Sequence, residues 1–188
     1  MVDGFPLRVV DGETLDGELR GLLRPEGTVQ QGEGRTHPLP RFFIEVPSWQ
    51  AAKDIRLTPN FALYEFMDVD VREAERARAF PRYVPYAVVH LAAHLEILRR
   101  QADTYVHVSA NGGYRTPAHA LSGPGSPHSW GTAADVYRVG DDWLDNRDTA
   151  EKYARLAREV SPALSARPYR KLDDHLHLDI GYLAANPG

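Results

Sequence analysis

Apolar residues in the second half of the chain recur at the spacing of two amphipathic helices. The first stripe repeats every three or four residues, the interval that keeps side chains on one face of a helix. It consists of Val84, Val88, Leu91, Leu95 and Leu98. A second helix is predicted over residues 148–160, because Asp148 suits an N-cap and Pro162 follows the last apolar position.

Alternation of apolar and polar residues predicts strands around these helices. Residues 104–110 alternate, with Val106 and Val108 on one face. Residues 133–139 and 176–180 are predicted as two further strands.

The first 56 residues differ in character from the rest of the chain. They are interrupted by clusters of Gly, Pro and Asp that mark turns. Between these turns, residues 5–10 and 42–46 have the composition of short strands. We predict an irregular N-terminal extension over residues 1–56, packed on a main domain over residues 57–188.

Composition and charge narrow the class of protein. At 188 residues, with 43% hydrophobic and 26% charged residues, the chain suits a soluble globular protein of one ordinary domain with an extension. A net charge of −4 gives no electrostatic footprint for nucleic acid. No apolar run approaches the roughly 20 residues of a membrane span, and the N-terminal residues lack the pattern of a signal peptide. The compartment and the oligomeric state stay open.

Histidine and aspartate residues in the C-terminal third indicate a metal site. The chain has no cysteine, so a transition metal must be bound through His and carboxylate ligands. Side chains alternate across a strand, so His177 points away from the apolar Leu176 and Leu178 and into a cleft. Asp135 faces the same cleft if the two strands are neighbours, and His128 precedes its strand in a loop rich in Gly, Pro and Ser. Three such ligands, with a fourth position for water, are the usual set of a catalytic zinc site.

Three short blocks of sequence occur in the order found in one family of zinc enzymes. They are Gly-Tyr-Arg over residues 113–115, Ser-x-His-x-x-Gly-x-Ala-x-Asp over residues 126–135, and Asp-x-x-His over residues 174–177. This pattern resembles the zinc peptidases that include D-alanyl-D-alanine carboxypeptidases and dipeptidases, phage L-alanyl-D-glutamate endopeptidases and the hedgehog signalling domain. The similarity covers about residues 57–183 and leaves the first 56 residues unexplained.

The resemblance implies a fold and a role for each residue of the site. The fold is α+β, a small and mostly antiparallel sheet flanked by helices, as in the hedgehog/DD-peptidase group. The implied ligands of one zinc ion are His128, Asp135 and His177. The implied general base is Asp174, where many relatives have Glu, and Arg115 lies beside the substrate. Arg115 offers a planar fork of donors for a substrate carboxylate or a developing oxyanion.

Other polar residues near these motifs have open roles. Ser126 is a candidate for a hydrogen bond to the substrate, and Asp173 competes for the role of base. His175 is a candidate for supporting the ligands or the transition state, for replacing the last His as a ligand, or for structural packing. His90 and His94 have the spacing of helical zinc ligands but lack the Glu that such helices carry.

The resemblance implies a zinc metallopeptidase that cuts a peptide bond next to a D-amino acid in peptidoglycan-type peptides. A D,D-carboxypeptidase or dipeptidase is favoured over an L,D-endopeptidase, because no wall-binding repeat is visible in the sequence. Two alternatives stay open: a hedgehog-like zinc-binding interaction domain without hydrolysis, and a zinc hydrolase of a non-peptidoglycan amide. The presence of both Asp174 and Arg115 argues against the first alternative. The expected partner is a peptide substrate.

Overall fold

This computed structural model describes residues 7–31 and 34–187. This part of the chain contains three antiparallel sheets and five α-helices. The helices are α1 (Gly17–Leu23), α2 (Trp49–Asp54), α3 (Glu75–Arg78), α4 (Val88–Ala102) and α5 (Arg147–Val160). The first five strands are β1 (Val9–Asp11), β2 (Thr28–Gln31), β3 (Arg35–Pro38), β4 (Phe42–Val46) and β5 (Arg82–Pro85). The others are β6 (Val106–Val108), β7 (Ala133–Val139), β8 (Asp142–Trp143), β9 (Ser165–Ala166) and β10 (Leu176–Asp179). Short 3-10 helices occupy Gly12–Thr14, Leu63–Phe66 and Pro127–Trp130.

The largest sheet has the strand order β6-β7-β10-β9, with β8 paired to β7. Its inner face is apolar: Val136 lies opposite Leu176, and Ala134 lies opposite Leu178, all buried. Helix α4 packs on β7, and α5 packs on β9 and β10. Because side chains alternate along a strand, the residues between these apolar positions face the other side of the sheet.

A second sheet joins the N-terminal residues to the rest of the chain. Strand β4 pairs with β1 on one side and with β5 on the other, so residues 9–11 and 42–46 share a sheet with residues 82–85. The hairpin β2–β3 is separate. Leu19 and Phe43 are buried in the same hydrophobic core as Leu91.

Three of the predicted strands match the structure closely. Predicted strands 42–46 and 133–139 are β4 and β7, and 176–180 differs from β10 by one residue. The predicted strand over 104–110 is shorter, since β6 covers Val106–Val108. Of the predicted strand 5–10, residues 5 and 6 lie outside the described part of the chain, and β1 begins at Val9.

Both predicted helices are present, but each begins at a different residue from the one predicted. Val84 belongs to strand β5, and α4 begins at Val88. Pro85 disfavours helical geometry for the residue before it, and β5 is paired with β4. The N-cap of α5 is Asn146, which accepts a hydrogen bond from the Thr149 amide at 3.1 Å, so Asp148 is wrong as the cap.

The predicted fold class is confirmed in its coarse form, as mixed helices and small antiparallel sheets. None of the described helices combines the length and the apolar character needed to cross a membrane.

Candidate metal centre

Three side chains converge on the open face of the largest sheet. Asp135 Oδ1 lies 2.8 Å from His177 Nδ1 and 3.4 Å from His128 Nε2, and the two histidine nitrogens are 3.2 Å apart. Within residues 7–31 and 34–187, this is the one group of three or more such side chains close enough to share a metal ion. The structure therefore brings together the three predicted ligands.

The size of this triangle fits a zinc ion. Tetrahedral ligands at bond lengths of about 2.0–2.1 Å lie about 3.3–3.4 Å from one another. The three measured separations, 2.8, 3.2 and 3.4 Å, are close to that value. Two imidazoles with one carboxylate also match the ligand chemistry of catalytic zinc sites, which keep one position open.

His128 is held with its Nε2 facing the other two ligands. It lies in the 3-10 helix Pro127–Trp130 and is buried. Its Nδ1 contacts the Gly113 carbonyl at 2.8 Å, and because a carbonyl only accepts, Nδ1 carries the proton and Nε2 keeps its lone pair. Gly131 ends this helix with φ of +69°, a conformation that suits glycine. Thr132 donates to the Gly181 carbonyl at 2.6 Å and fixes the turn that follows.

Asp135 and His177 meet because β7 and β10 are adjacent. They are direct partners in the antiparallel register, where opposed side chains on one face lie close together. Nε2 of His177 lies 3.5 Å from Asp179 Oδ2. A carboxylate behind a metal-binding imidazole orients the ring and raises its basicity, so Asp179 supports His177 from behind.

The charges of the three ligands reflect this packing. Burial lowers the pKa of His128, which favours the neutral form that binds metals. Burial alone would raise the pKa of Asp135, but its close contacts with the imidazoles of His128 and His177 hold that pKa far below its usual range. Burial would also lower the pKa of His177, yet the bonds to Asp135 and Asp179 raise it to about 9. Asp135 is thus a buried anion whose charge must be balanced, either by the protonated His177 imidazole or by a bound cation.

Arg115 borders the ligand triangle. Its Nη1 lies 3.8 Å from Asp135 Oδ2, and its side chain is about nine-tenths buried. Burial lowers its pKa, partly offset by Asp135. Its Nε is buried and has no hydrogen-bond partner in the described part of the chain. A buried donor without a partner is costly, so this guanidinium has capacity left for a ligand.

The segment around Arg115 is anchored on both sides. The Tyr114 amide donates to the Phe66 carbonyl at 2.7 Å, and Thr116 donates to buried Glu73 through its amide and hydroxyl, at 2.9 and 2.7 Å. Gly113 passes so close to the Phe66 backbone that a Cβ there would overlap it. The Gly-Tyr-Arg block therefore serves to fix one arginine beside the triangle.

Asp174, the predicted base, lies at the margin of the site. Its side chain is 88% exposed, and its Oδ1 contacts His175 Nδ1 at 2.7 Å. His175 Nε2 in turn lies 3.4 Å from Asp135 Oδ1. No ion pair or hydrogen bond joins Asp174 to a ligand within residues 7–31 and 34–187. Asp174 is therefore linked to the metal centre indirectly, through its contact with His175.

The remaining candidate residues differ from one another in their contacts. Asp173 binds the Arg170 amide at 2.8 Å and Arg167 at 3.2 Å, so it stabilises the loop that carries Asp174. Ser126 is half-buried beside the helix that carries the first ligand, and its hydroxyl has no partner among the described residues. His94 contacts the Ser161 hydroxyl at 2.7 Å and lies apart from the triangle.

Sequence reasoning gave no role to two contributors to the centre. The Gly113 carbonyl, which orients His128, is a backbone group and leaves no signal in the residue type. Asp179 was detectable, because strand alternation puts it on the same face as His177.

Searches with this chain against protein-family models, curated proteins and solved structures found no match. The family resemblance seen in the motifs therefore stays a prediction.

Proposed function

We propose that the chain is a zinc metallopeptidase that hydrolyses a peptide bond next to a D-amino acid in peptidoglycan-type peptides. The proposal includes the hedgehog/DD-peptidase fold, with a D,D-carboxypeptidase or dipeptidase favoured over an L,D-endopeptidase. The observation that carries it is the triangle of Asp135 Oδ1, His177 Nδ1 and His128 Nε2, with edges of 2.8–3.4 Å.

The polar groups around the triangle are more typical of a hydrolytic metal site than of a purely structural one. A structural zinc site is closed by four protein ligands, whereas three ligand side chains converge here. His175 and Arg115 both lie within 4 Å of Asp135 without belonging to the triangle. A bound zinc would supply Lewis acidity, polarising the scissile carbonyl and lowering the pKa of water toward about 7.

His175 is the side chain best arranged to move a proton. Asp174 is a carboxylate, so the bond of 2.7 Å between them puts the proton on His175 Nδ1 and leaves Nε2 as an acceptor facing the centre. Nε2 takes the proton of the attacking water and returns it to the leaving amine. We therefore assign the base to His175 and the orientation of its ring to Asp174, and retain direct action of Asp174 as the competing assignment.

Arg115 and Ser126 are the substrate-facing groups in this scheme. The guanidinium can bind a terminal carboxylate or the oxygen of the scissile carbonyl as negative charge develops there. The unpartnered Ser126 hydroxyl can accept or donate one hydrogen bond to the peptide backbone. Both groups flank His128, since the Arg115 amide donates to the His128 carbonyl at 3.4 Å and Ser126 lies two residues before it.

The decisive experiment combines metal analysis with a panel of substrates. Protein purified without added metal is analysed for zinc and incubated with D-Ala-D-Ala, stem peptides and intact sacculi. We expect about one zinc per chain and release of D-alanine from at least one substrate, abolished by a chelator and restored by zinc.

The alternatives give different results in the same assay. Stoichiometric zinc without cleavage of any substrate points to an interaction domain, or to hydrolysis of a non-peptidoglycan amide. Cleavage inside the stem peptide without release of terminal D-alanine points to the endopeptidase. Absence of zinc, with no metal taken up on addition, contradicts the proposal.

A further inference from the structure

A row of four rings crosses the outer face of the largest sheet. The ring centroids of Tyr105 and His107 are 6.1 Å apart, those of His107 and Tyr137 are 5.9 Å apart, and those of Tyr137 and Trp143 are 5.5 Å apart. We call these four residues the aromatic row. Strands β6, β7 and β8 and the residue before β6 contribute its members, so its spacing is fixed by strand pairing.

The row is open to solvent, although its rings are held in place. Tyr105 is 62% exposed and Trp143 is 54% exposed. The Arg99 guanidinium lies 4.5 Å from the centre of the Tyr105 ring, and that of Arg138 lies 5.5 Å from the Trp143 ring. Exposed aromatic surface on a folded protein marks a binding site more often than chance, and here the rings are pre-oriented.

A groove of about 350 Å³ adjoins the row at His107. Trp49 and Tyr64 form aromatic walls, and the carboxylates of Glu65 and Asp68 line the same groove. Among the exposed large hydrophobic residues of the described chain, the aromatic ones are Trp49, Tyr64, Tyr105 and Trp143. All four lie in the groove or the row, so exposed aromatic surface is concentrated on one side of the molecule.

Strand β7 connects the metal centre to the aromatic row. Tyr137 is two residues beyond Asp135 on this strand, with buried Val136 between them, so both side chains face the same side of the sheet. Two residues of a strand span about 7 Å. A polymer attached to a peptide bound at the metal centre can therefore lie across the row.

We propose that the aromatic row and its groove bind a glycan strand, a polymer of pyranose sugars. The flat C–H faces of sugar rings stack on aromatic side chains, and carboxylates and guanidinium groups hydrogen-bond sugar hydroxyls. The charges around the row nearly balance, with three cations and two anions, which disfavours a polyanion such as single-stranded nucleic acid. The cations are Lys53, Arg99 and Arg138, and the anions are Glu65 and Asp68. Asp142 is paired with Lys152 at 2.7 Å.

The choice of amino sugars as the glycan rests on the proposed function, because stem peptides are joined to strands of N-acetylated amino sugars. The aromatic row itself does not depend on that function. The sheet face then serves as a glycan-binding surface on the same sheet as the metal centre.

Co-sedimentation with insoluble glycan tests the proposal. Wild-type protein, Trp143→Ala, Tyr105→Ala and the control Val71→Ala, at a position that is 81% exposed and lies outside the row, are mixed with chitin and with glycan strands freed of stem peptides. We expect wild type and Val71→Ala to bind equally, and each row variant to bind about tenfold more weakly, as for an aromatic anchor of an interface. Circular dichroism checks that the variants are folded.

A second arm separates this inference from the proposed function. Glycan binding by His177→Ala should equal that of wild type, because the row does not need a metal. Wild type should also bind an oligothymidylate much more weakly than glycan. Binding to neither glycan, equal binding by Trp143→Ala, or tighter binding to oligothymidylate overturns the inference. Glycan binding without hydrolysis of any stem peptide leaves the inference standing and contradicts the proposed function.

Discussion

The ligand triangle and its flank, defined as the loop residues Asp174, His175 and Ser126, are built in opposite ways. Asp135 and His128 are buried, and each side chain of the triangle contacts another in it. Asp174, by contrast, is 88% exposed and stands on the loop before β10. Ser126 is half-buried with an unpartnered hydroxyl. The triangle is held by strand pairing and backbone contacts, whereas the flank depends on loops.

Under the proposed function, this difference separates the residues expected to bind a metal from those expected to meet a substrate. A buried carboxylate with two imidazoles around it is unfavourable without a cation or protons to balance it. Exposed groups have no such requirement and are free to bind what arrives from solvent. Substitutions in the triangle should therefore remove the metal, and substitutions in the flank should leave the metal bound and change only catalysis or affinity.

Replacing a ligand should have the largest effect. His177→Ala removes one corner of the triangle and leaves Asp135 short of a partner, so we expect loss of stoichiometric zinc and of all metal-dependent hydrolysis. Metal analysis of the purified variant measures this. The matched control is His90→Ala, an exposed histidine on α4, which should keep its zinc. Full zinc retention in His177→Ala would show that the triangle is not the metal site.

The two residues of the loop before β10 should differ in the size of their effect. His175→Ala removes the proposed base, and we expect turnover to fall by about 10² to 10⁴-fold with zinc retained. Asp174→Asn removes only the group that orients the ring, so a loss of about 10 to 100-fold is expected. Steady-state kinetics of both zinc-loaded variants measure this.

The variant with the larger fall in turnover identifies the general base. A larger loss for Asp174→Asn than for His175→Ala would make Asp174 the base itself, as the sequence motif predicts. Asp173→Asn serves as the control, because Asp173 is engaged with Arg167 and the Arg170 amide. That variant should act on stability of the loop and not on the proton transfer.

Replacing Arg115 should distinguish a carboxypeptidase from an endopeptidase. In a carboxypeptidase it binds the terminal carboxylate, and loss of this charge-assisted bond costs about 1.5–3 kcal/mol, roughly ten- to a hundredfold. Arg115→Ala should then raise KM for a free D-Ala terminus but hardly alter cleavage of an amidated one. In an endopeptidase, Arg115→Ala should lower kcat equally for both peptides. An unchanged kcat and KM for both would remove Arg115 from the substrate site.

Ser126→Ala should have the smallest effect. One neutral hydrogen bond contributes about 0.5–1.5 kcal/mol, so we expect a change in kcat/KM of only a few-fold to about tenfold. Zinc content should stay the same, because Ser126 is not in the triangle. A drop in zinc content would assign the Ser126 side chain to the positioning of His128 instead.

Several parts of the fold and site follow from the sequence alone. Strands 42–46 and 133–139 were predictable to the residue, because short runs of apolar and β-branched residues bounded by turn residues favour strands, in which side chains alternate between the two faces. The same alternation put His177 on the cleft face, and the spacing of the motif named its partners. These are local properties, set by neighbours along the chain.

Only the tertiary structure decided which groups meet across distant segments. Alternation with His177 predicts that His175 faces the cleft, but only the structure brings His175 Nε2 to 3.4 Å from Asp135 and leaves Asp174 exposed. The Gly113 carbonyl behind His128 and the pairing of β4 with β5 also join residues far apart in the chain. The aromatic row draws on three strands of one sheet. Such contacts depend on packing of the whole core, and therefore no single stretch of sequence determines them.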